Sequence, residues 1–290
     1  MLKMVSTVIK PIVVFYTPKM VADSQSLSPS AAKPAKVVES WQEKFVIDVK
    51  EPEPVTVDEL TLAHDRTYVE DVLAGRCNNG FGNRSPDVAM SLPFTSGAML
   101  SAARHAIKTR AVACAPCSGF HHAEHHTPQG FCTFNGLMVA ALVLQKEGAS
   151  RVGILDLDMH YGNGTDNIIH KLKASKWIKH FTGGGTFVDV SQVDDFFSQL
   201  PGILDWMSDC DVVLYQAGAD PHINDPYGGW LTTEQLRLRD AIVFEAFKTK
   251  GVPVAWNLAG GYQTERDGSI PKVLEIHDNT MRECVRVYGG

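Results

Sequence analysis

Two aspartates and a histidine stand at every second position in "ILDLDMHYGN", residues 154 to 163, directly behind an apolar run. In an extended strand the side chains at i, i+2 and i+4 share a face, so Asp156, Asp158 and His160 are expected to project together, with Leu155, Leu157 and Met159 opposite. Ionised groups at a core margin need strong compensation, more than a helix cap or one basic partner supplies. A divalent cation would supply it. Asp158 and His160, joined by Asp220 from "GADPH", offer three N/O ligands and leave a fourth position open, as a catalytic zinc site requires. Two carboxylates balance the charge of a dication, and the same donors also accept Fe²⁺ or Co²⁺.

Other motifs carry weaker chemistry. "HHAEH" at 121 to 125 fits the H-x-x-E-H signature of inverted zinc proteases, which needs a helix to bring His121 and His125 onto one face; Gly119 before it and Pro128 and Gly130 after it disfavour that helix. "CAPC" at 114 to 117 has the spacing of a redox or zinc-ribbon pair but no second pair to complete it. "TGGGT" at 182 to 186 lacks the lysine and spacing of a phosphate-binding loop and is expected to be a flexible rim loop.

The elements that must position these residues can be read from the apolar runs "IVVFYT", "KFVIDV", "AVACAP", "RVGILDLD", "DVVLYQAGA" and "VPVAWNLAGG". Short continuous apolar runs alternating with amphipathic stretches predict a mostly parallel sheet covered by helices on both faces, an α/β doubly wound fold. Helices are expected at Ala31 to Lys44, Val57 to Ala74, Thr95 to Thr109, Asn135 to Gly148, Thr233 to Lys250 and Ile270 to Val285, with caps at Thr56, Thr232 or Thr233, and Gly251. Segments 75 to 87 and 182 to 190 read as loops. Ligands of open α/β sheets bind beyond the carboxyl ends of the strands. There the chain places "CSGFHHAEHH", "DLDMH", "ADPH" and Tyr262, so histidines, aspartates and a tyrosine are expected to share one edge.

With 290 residues and 44% apolar composition, the chain can bury one large core, and a single domain over residues 1–290 is expected. Its 27 basic against 33 acidic residues give a net charge of -6 without long runs, which offers no attractive stripe to nucleic acid or anionic lipid. No stretch has the length of a membrane span, and Lys10 and Pro11 break the N-terminal apolar segment before it could serve as a signal-peptide core, so a cytoplasmic location is expected. The six cysteines are sparse and several lie in apolar runs, which predicts buried, reduced thiols.

Five motifs in order resemble the zinc-dependent histone deacetylase and acetylpolyamine amidohydrolase family, which has the arginase-like α/β fold: "HDRTYVEDVLAG" at 64 to 75, the tandem histidines with "GFCTFN" at 121 to 135, "DLDMHYGNGT" at 156 to 165, "GADPHINDPYG" at 218 to 228, and "LAGGY" at 258 to 262. The resemblance implies one Zn²⁺ per chain on Asp158, His160 and Asp220. It implies His122 as general base, His121 as its electrostatic and proton-relay partner, Asp156 orienting His121, Asn163 behind His122, and Tyr262 as hydroxyl donor to the oxyanion. Phe131 then resembles a wall of the acyl tunnel, with Gly130, Tyr227 and Gly261 also lining the substrate. Such parts permit hydrolysis of an acetyl or other short acyl amide, with an acetylated protein lysine or small molecule as substrate.

The chain departs from the family pattern at several points. "CSGF" stands where a Pro-Pro-Gly turn is usual, and Tyr161 replaces a second histidine. Tyr227 occupies a rim site that is commonly leucine or methionine, or glutamate where a polyamine's distal charge is selected, so it would narrow the tunnel without adding an anion. Asp87, in "FGNRSPD", is a stand-in for the rim aspartate that holds the substrate backbone. "KHFTGGGTF" does not clearly supply the serine that helps bind the family's structural K⁺, and the short span from His160 to Asp220 implies an open entrance unless a second subunit covers it. Two other readings compete: an arginase-type ureohydrolase, which needs a second metal with further aspartates, and a binder of acylated ligands without turnover. The sequence does not specify the oligomeric state.

Overall fold

The computed structural model describes residues 10–290; the N-terminal apolar segment weighed above as a signal core falls on residues 1–9, outside them. Among the described residues, seven strands form one wholly parallel sheet: β1 (Ile12–Phe15), β2 (Ile47–Lys50), β3 (Val112–Ala115), β4 (Val152–Asp156), β5 (Ile178–Thr182), β6 (Val212–Gly218) and β7 (Val254–Ala259), in the order β2-β1-β3-β7-β6-β4-β5. β3, β4, β6 and β7 are buried on both faces, which is why they read as unbroken apolar runs rather than alternations. β5 had no such signal. It is an edge strand whose Lys179 and His180 interrupt the apolar pattern, and only its first residue is fully buried.

Successive residues of the strands feed two separate cores. Ala113, Ala115, Ile154, Leu214 and Ala255 pack under α2 (Val57–Ala63), α3 (Arg66–Leu73), α4 (Pro86–Thr109), α5 (Gly136–Lys146) and α6 (Asn163–Lys171). Val112, Cys114, Leu155, Val213, Tyr215 and Trp256 pack under α1 (Lys33–Lys44), α7 (Val193–Trp206), α8 (Thr233–Lys250) and α9 (Pro271–Tyr288). This is the doubly wound arrangement that the runs predict. No helix among the described residues is long and apolar enough to cross a membrane.

Helix ends follow local chemistry. α8 begins on a capping box between Thr232 and Gln235 and stops at Gly251 in the left-handed region, so its bounds match the expected Thr233 to Lys250. The helix expected from Val57 to Ala74 is two helices, because the chain turns at His64 and Asp65. The Asp65 carboxylate caps α3 by accepting from the Tyr68 amide, and the His64 ring is buried. α4 starts nine residues before the expected Thr95, on a Ser85 cap with Pro86 in its first turn, and carries Pro93 within it. α6 and α7 were not expected: the first opens on "NGT" and the second contains "PG", both of which read as breakers. The presumed loop 182–190 is tied down, with Gly183–Gly185 in a 3₁₀ turn and Phe187 buried against Phe196 and Trp230. The cysteines are unpaired, and all but Cys77 are buried.

One buried ion pair ties this scaffold to the strand ends. Arg239 of α8 donates from Nη1 to Leu157 O at 3.1 Å and Gly218 O at 2.8 Å, just past β4 and at the end of β6. Its Nε donates to Asp240 Oδ1 at 2.8 Å, and Asp240 also accepts from Thr280 Oγ1 at 2.6 Å and from the Tyr215 hydroxyl. Removing one partner strands the other charge in the core. Asp240→Ala is therefore expected to cost about 3–5 kcal/mol of unfolding free energy, measured by urea denaturation; a loss within about 1 kcal/mol, typical of exposed pairs, would contradict this role.

Candidate active site

Because β3, β7, β6 and β4 are neighbours, the segments leaving their carboxyl ends meet. β4 ends at Asp156, so the strand pleat does not align Asp156, Asp158 and His160 as expected. A turn does it instead. The Asp158 amide donates to Asp156 Oδ1 at 3.2 Å and the His160 amide to Asp158 Oδ1 at 2.9 Å, which folds the segment back over the strand end. Asp220, two residues past β6, completes the group. His160 Nδ1 lies 3.2 Å from Asp158 Oδ1 and 3.0 Å from Asp220 Oδ2, and the three ligand atoms all fall within 4.8 Å of one another.

The donor set fits a divalent ion. One imidazole nitrogen faces two carboxylates, both aspartates are buried, and no other cluster of this kind occurs among the described residues. Hydrogen bonds to Asp158 and Asp220 push the His160 imidazole up to about 10. Burial, followed by repulsion from Asp158, raises the Asp220 carboxyl to about 7. The two carboxylates thus draw positive charge to the place between them. The nearby buried lysine does not fill the place, because Lys33 Nζ donates to Gly260 O. Burial brings its ammonium down to about 8 against the attraction of Asp220, Asp158 and Asp225.

The tandem histidines face this cluster from the segment after β3. There is no helix at 121 to 125, so the inverted-protease geometry is absent, and His125 Nδ1 contacts Ala63 O at 2.8 Å instead. His121 Nδ1 is 2.7 Å from Asp156 Oδ2, and its Nε2 is 3.6 Å from Asp158 Oδ1. Burial opposes its charge, but Asp156 and Asp158 outweigh that and hold it at about 9. His122 behaves in the opposite way. Burial and the charge of His121, whose ring centroid is 4.0 Å away, lower it to about 4. Its Nδ1 meets Asn163 Oδ1 at 2.6 Å. A charged and a neutral imidazole side by side are the separated pair that acid–base chemistry uses.

Tyr262 follows β7 through Gly260 and Gly261, both at positive φ. A Cβ on Gly260 would overlap the Asp220 carboxylate at 2.1 Å, so the missing side chain leaves room for that ligand. The Asp225 carboxylate accepts from the Tyr262 amide at 2.8 Å and the Tyr227 amide at 3.1 Å, fixing both tyrosines. Burial keeps the Tyr262 phenol protonated well above its usual range. Gly130 and Phe131, with φ of 53° and 63°, form a two-residue turn closed by Gln129 and Cys132, the signature of type I′. A Cβ on Gly130 would meet the His122 ring at 2.5 Å, so the turn lies directly against that imidazole. The turn aims Phe131 at Tyr262, at 5.7 Å between centroids, and at Tyr227, at 6.4 Å; Tyr227 and Tyr262 meet edge to face at 4.8 Å. Tyr227 is 50% exposed and forms the rim. Asp87 lies in the exposed first turn of α4, where a helix N-terminus favours an acid. At the end of β5, the Thr182 hydroxyl accepts from the Gly162 amide at 3.0 Å.

Lys33, Asp225, Gly260, Glu124 and Gln216, whose amide donates to Asp156 Oδ1 at 3.0 Å, were not singled out in the sequence. Lys33 sits in "AAKPAK", which reads as a helix start, and Glu124 was weighed only as part of the protease signature. Asp156, Asp158, His160, Asp220, His121, His122, Asn163, Phe131, Tyr227 and Tyr262 lie together beyond the carboxyl ends of β3, β4, β6 and β7.

Residues 28–182 match the histone deacetylase domain, and the chain belongs to that family. It is 26% identical over 266 residues to the chloroplastic histone deacetylase 10 of Oryza sativa subsp. japonica, a match covering 76% of this chain and only 60% of the rice protein's length. It is 24% identical to a probable deacetylase of Methanothermobacter thermautotrophicus, covering 75% of each. The crystal structure of the HDA15 HD domain superposes with a TM-score of 0.77 at 19% identity, covering 97% of this chain and 91% of that one, and it shares the fold.

Proposed function

We propose that the protein is a zinc-dependent hydrolase that removes an acetyl or other short acyl group from an amide nitrogen. The observation that carries this reading is the His121–His122 pair, with ring centroids 4.0 Å apart and each Nδ1 held by its own partner, Asp156 and Asn163, facing the Asp158–His160–Asp220 cluster. Those three residues would hold one Zn²⁺, which supplies Lewis acidity toward an amide carbonyl and toward water. His122 gives its Nδ1–H to Asn163, so Nε2 carries the lone pair that takes a proton from water. His121, pinned by Asp156, keeps positive charge beside the developing anion. The Tyr262 hydroxyl, held protonated, donates to the oxyanion. A proton returned from the imidazole pair releases the amine.

Phe131 and Tyr227 wall the entrance with rings and bring no carboxylate to it. That favours an acetylated lysine or small neutral amide over an acetylpolyamine, whose second charge would find no partner there. The test is turnover of a panel of acetyl-lysine peptides, acetylpolyamines and small acylated amides by the wild type and by His122→Ala. At least one acetylated amide should be hydrolysed about a hundredfold or more faster by the wild type, the scale of a lost general base. Equal rates for both proteins on every substrate would contradict the proposal and favour a binder without turnover.

A further inference from the structure

The Asn163 amide can face His122 in two ways, and only one leaves His122 useful as a base. With Oδ1 toward His122, Nδ1 carries the proton and Nε2 is free; with the amide turned over, Nδ1 accepts and Nε2 carries the proton instead. In the structure Oδ1 faces His122 at 2.6 Å, while Asn163 Nδ2 donates to Gln129 Oε1 at 2.7 Å and to Glu124 Oε1 at 3.4 Å. His122, Asn163 and Gln129 could each exchange donor for acceptor by a tautomer change or an amide rotation. The Glu124 carboxylate only accepts.

We propose that Glu124 is a positioning residue that selects the amide orientation of Asn163 and, through it, the Nδ1–H tautomer of His122. This rests on the deacetylase reading for its consequence in turnover, but not for its geometry. Glu124 is itself fixed by the scaffold. Its amide donates to Thr127 O at 2.9 Å, and its carbonyl meets His64 Nδ1 at 2.9 Å. His64 Nε2 accepts from the Asn135 amide at 2.9 Å, so Nδ1 must be the protonated nitrogen of that ring. The chain-turning residue between α2 and α3 therefore anchors the residue that orients Asn163.

The experiment is ¹⁵N-histidine NMR of His122 in the full chain, metal-free and Zn²⁺-loaded, paired with steady-state kinetics. In Glu124→Gln the constraint is gone, and His122 should shift toward the Nε2–H tautomer while kcat falls about 10–100-fold at little-changed KM. In Glu124→Gln/Asn163→Asp the carboxylate at 163 accepts with either oxygen, so a proton on His122 Nδ1 should return. Gln129→Met removes a neighbouring hydrogen bond from a residue that selects nothing, and its His122 should keep the wild-type tautomer. Retention of the Nδ1–H form in Glu124→Gln, or no recovery in the double variant, overturns the proposal. A wild type that hydrolyses no acyl amide would sink the deacetylase reading alone, because the tautomer signal still decides this one.

Discussion

Asp220→Ala is expected to leave the protein folded but unable to hold its metal, with occupancy falling from one ion per chain to near zero and turnover dropping at least about a thousandfold, several kcal/mol of lost Lewis-acid stabilisation. The carboxylate is buried, accepts from the Met159 amide at 3.2 Å, and sits where Gly260 leaves space for it. Without it, His160 and Asp158 offer two donors, too few for a tetrahedral site. The pH dependence of loading in the wild type follows from the same contacts. His160, raised to about 10 by its two carboxylate partners, holds a proton that the metal must displace, and burial with repulsion from Asp158 raises Asp220 so that it takes up a second at lower pH. Apparent affinity should therefore fall as pH drops below about 10, by about tenfold per unit, and more steeply once Asp220 is protonated. Chelator competition across this range measures it; a flat profile, or full occupancy in Asp220→Ala, would contradict the assignment of these ligands.

Tyr262→Phe should reduce kcat by about a hundredfold to a thousandfold, the usual cost of one oxyanion donor, while KM and metal content stay near wild type. The separation follows from how the residue is held. Its backbone is gripped by Asp225 and its ring packs against Phe131 and Tyr227, so deleting only the hydroxyl leaves the wall of the entrance in place. Unchanged kcat in a variant shown to retain its metal would remove Tyr262 from the chemistry.

The sequence was most readable where one local cause sufficed. Inner strands such as "VVLYQAG" announce themselves because both faces are covered, and α8 because a capping box and a left-handed glycine bound it. β5 was hidden because an edge strand needs no continuous apolar run. α7 was hidden because Pro201 and Gly202, which usually break helices, are tolerated within it. At the site, Asp158, His160 and Asp220 were legible from residue type and position after strands, though the turn rather than the pleat brings the first two together. Lys33 was not legible, since its burial depends on Gly260, 227 residues away in the chain. Glu124 was hidden for a related reason, because what it does depends on the orientation of an amide across the site.

The most direct measurement is anomalous scattering, at the zinc, iron and cobalt edges, from crystals of protein purified without chelators and shown to hydrolyse an acetylated amide. One peak at the zinc edge, between Asp158 Oδ, His160 Nδ1 and Asp220 Oδ, is the expected result. No peak in active protein, or a peak bound by other residues, would contradict it.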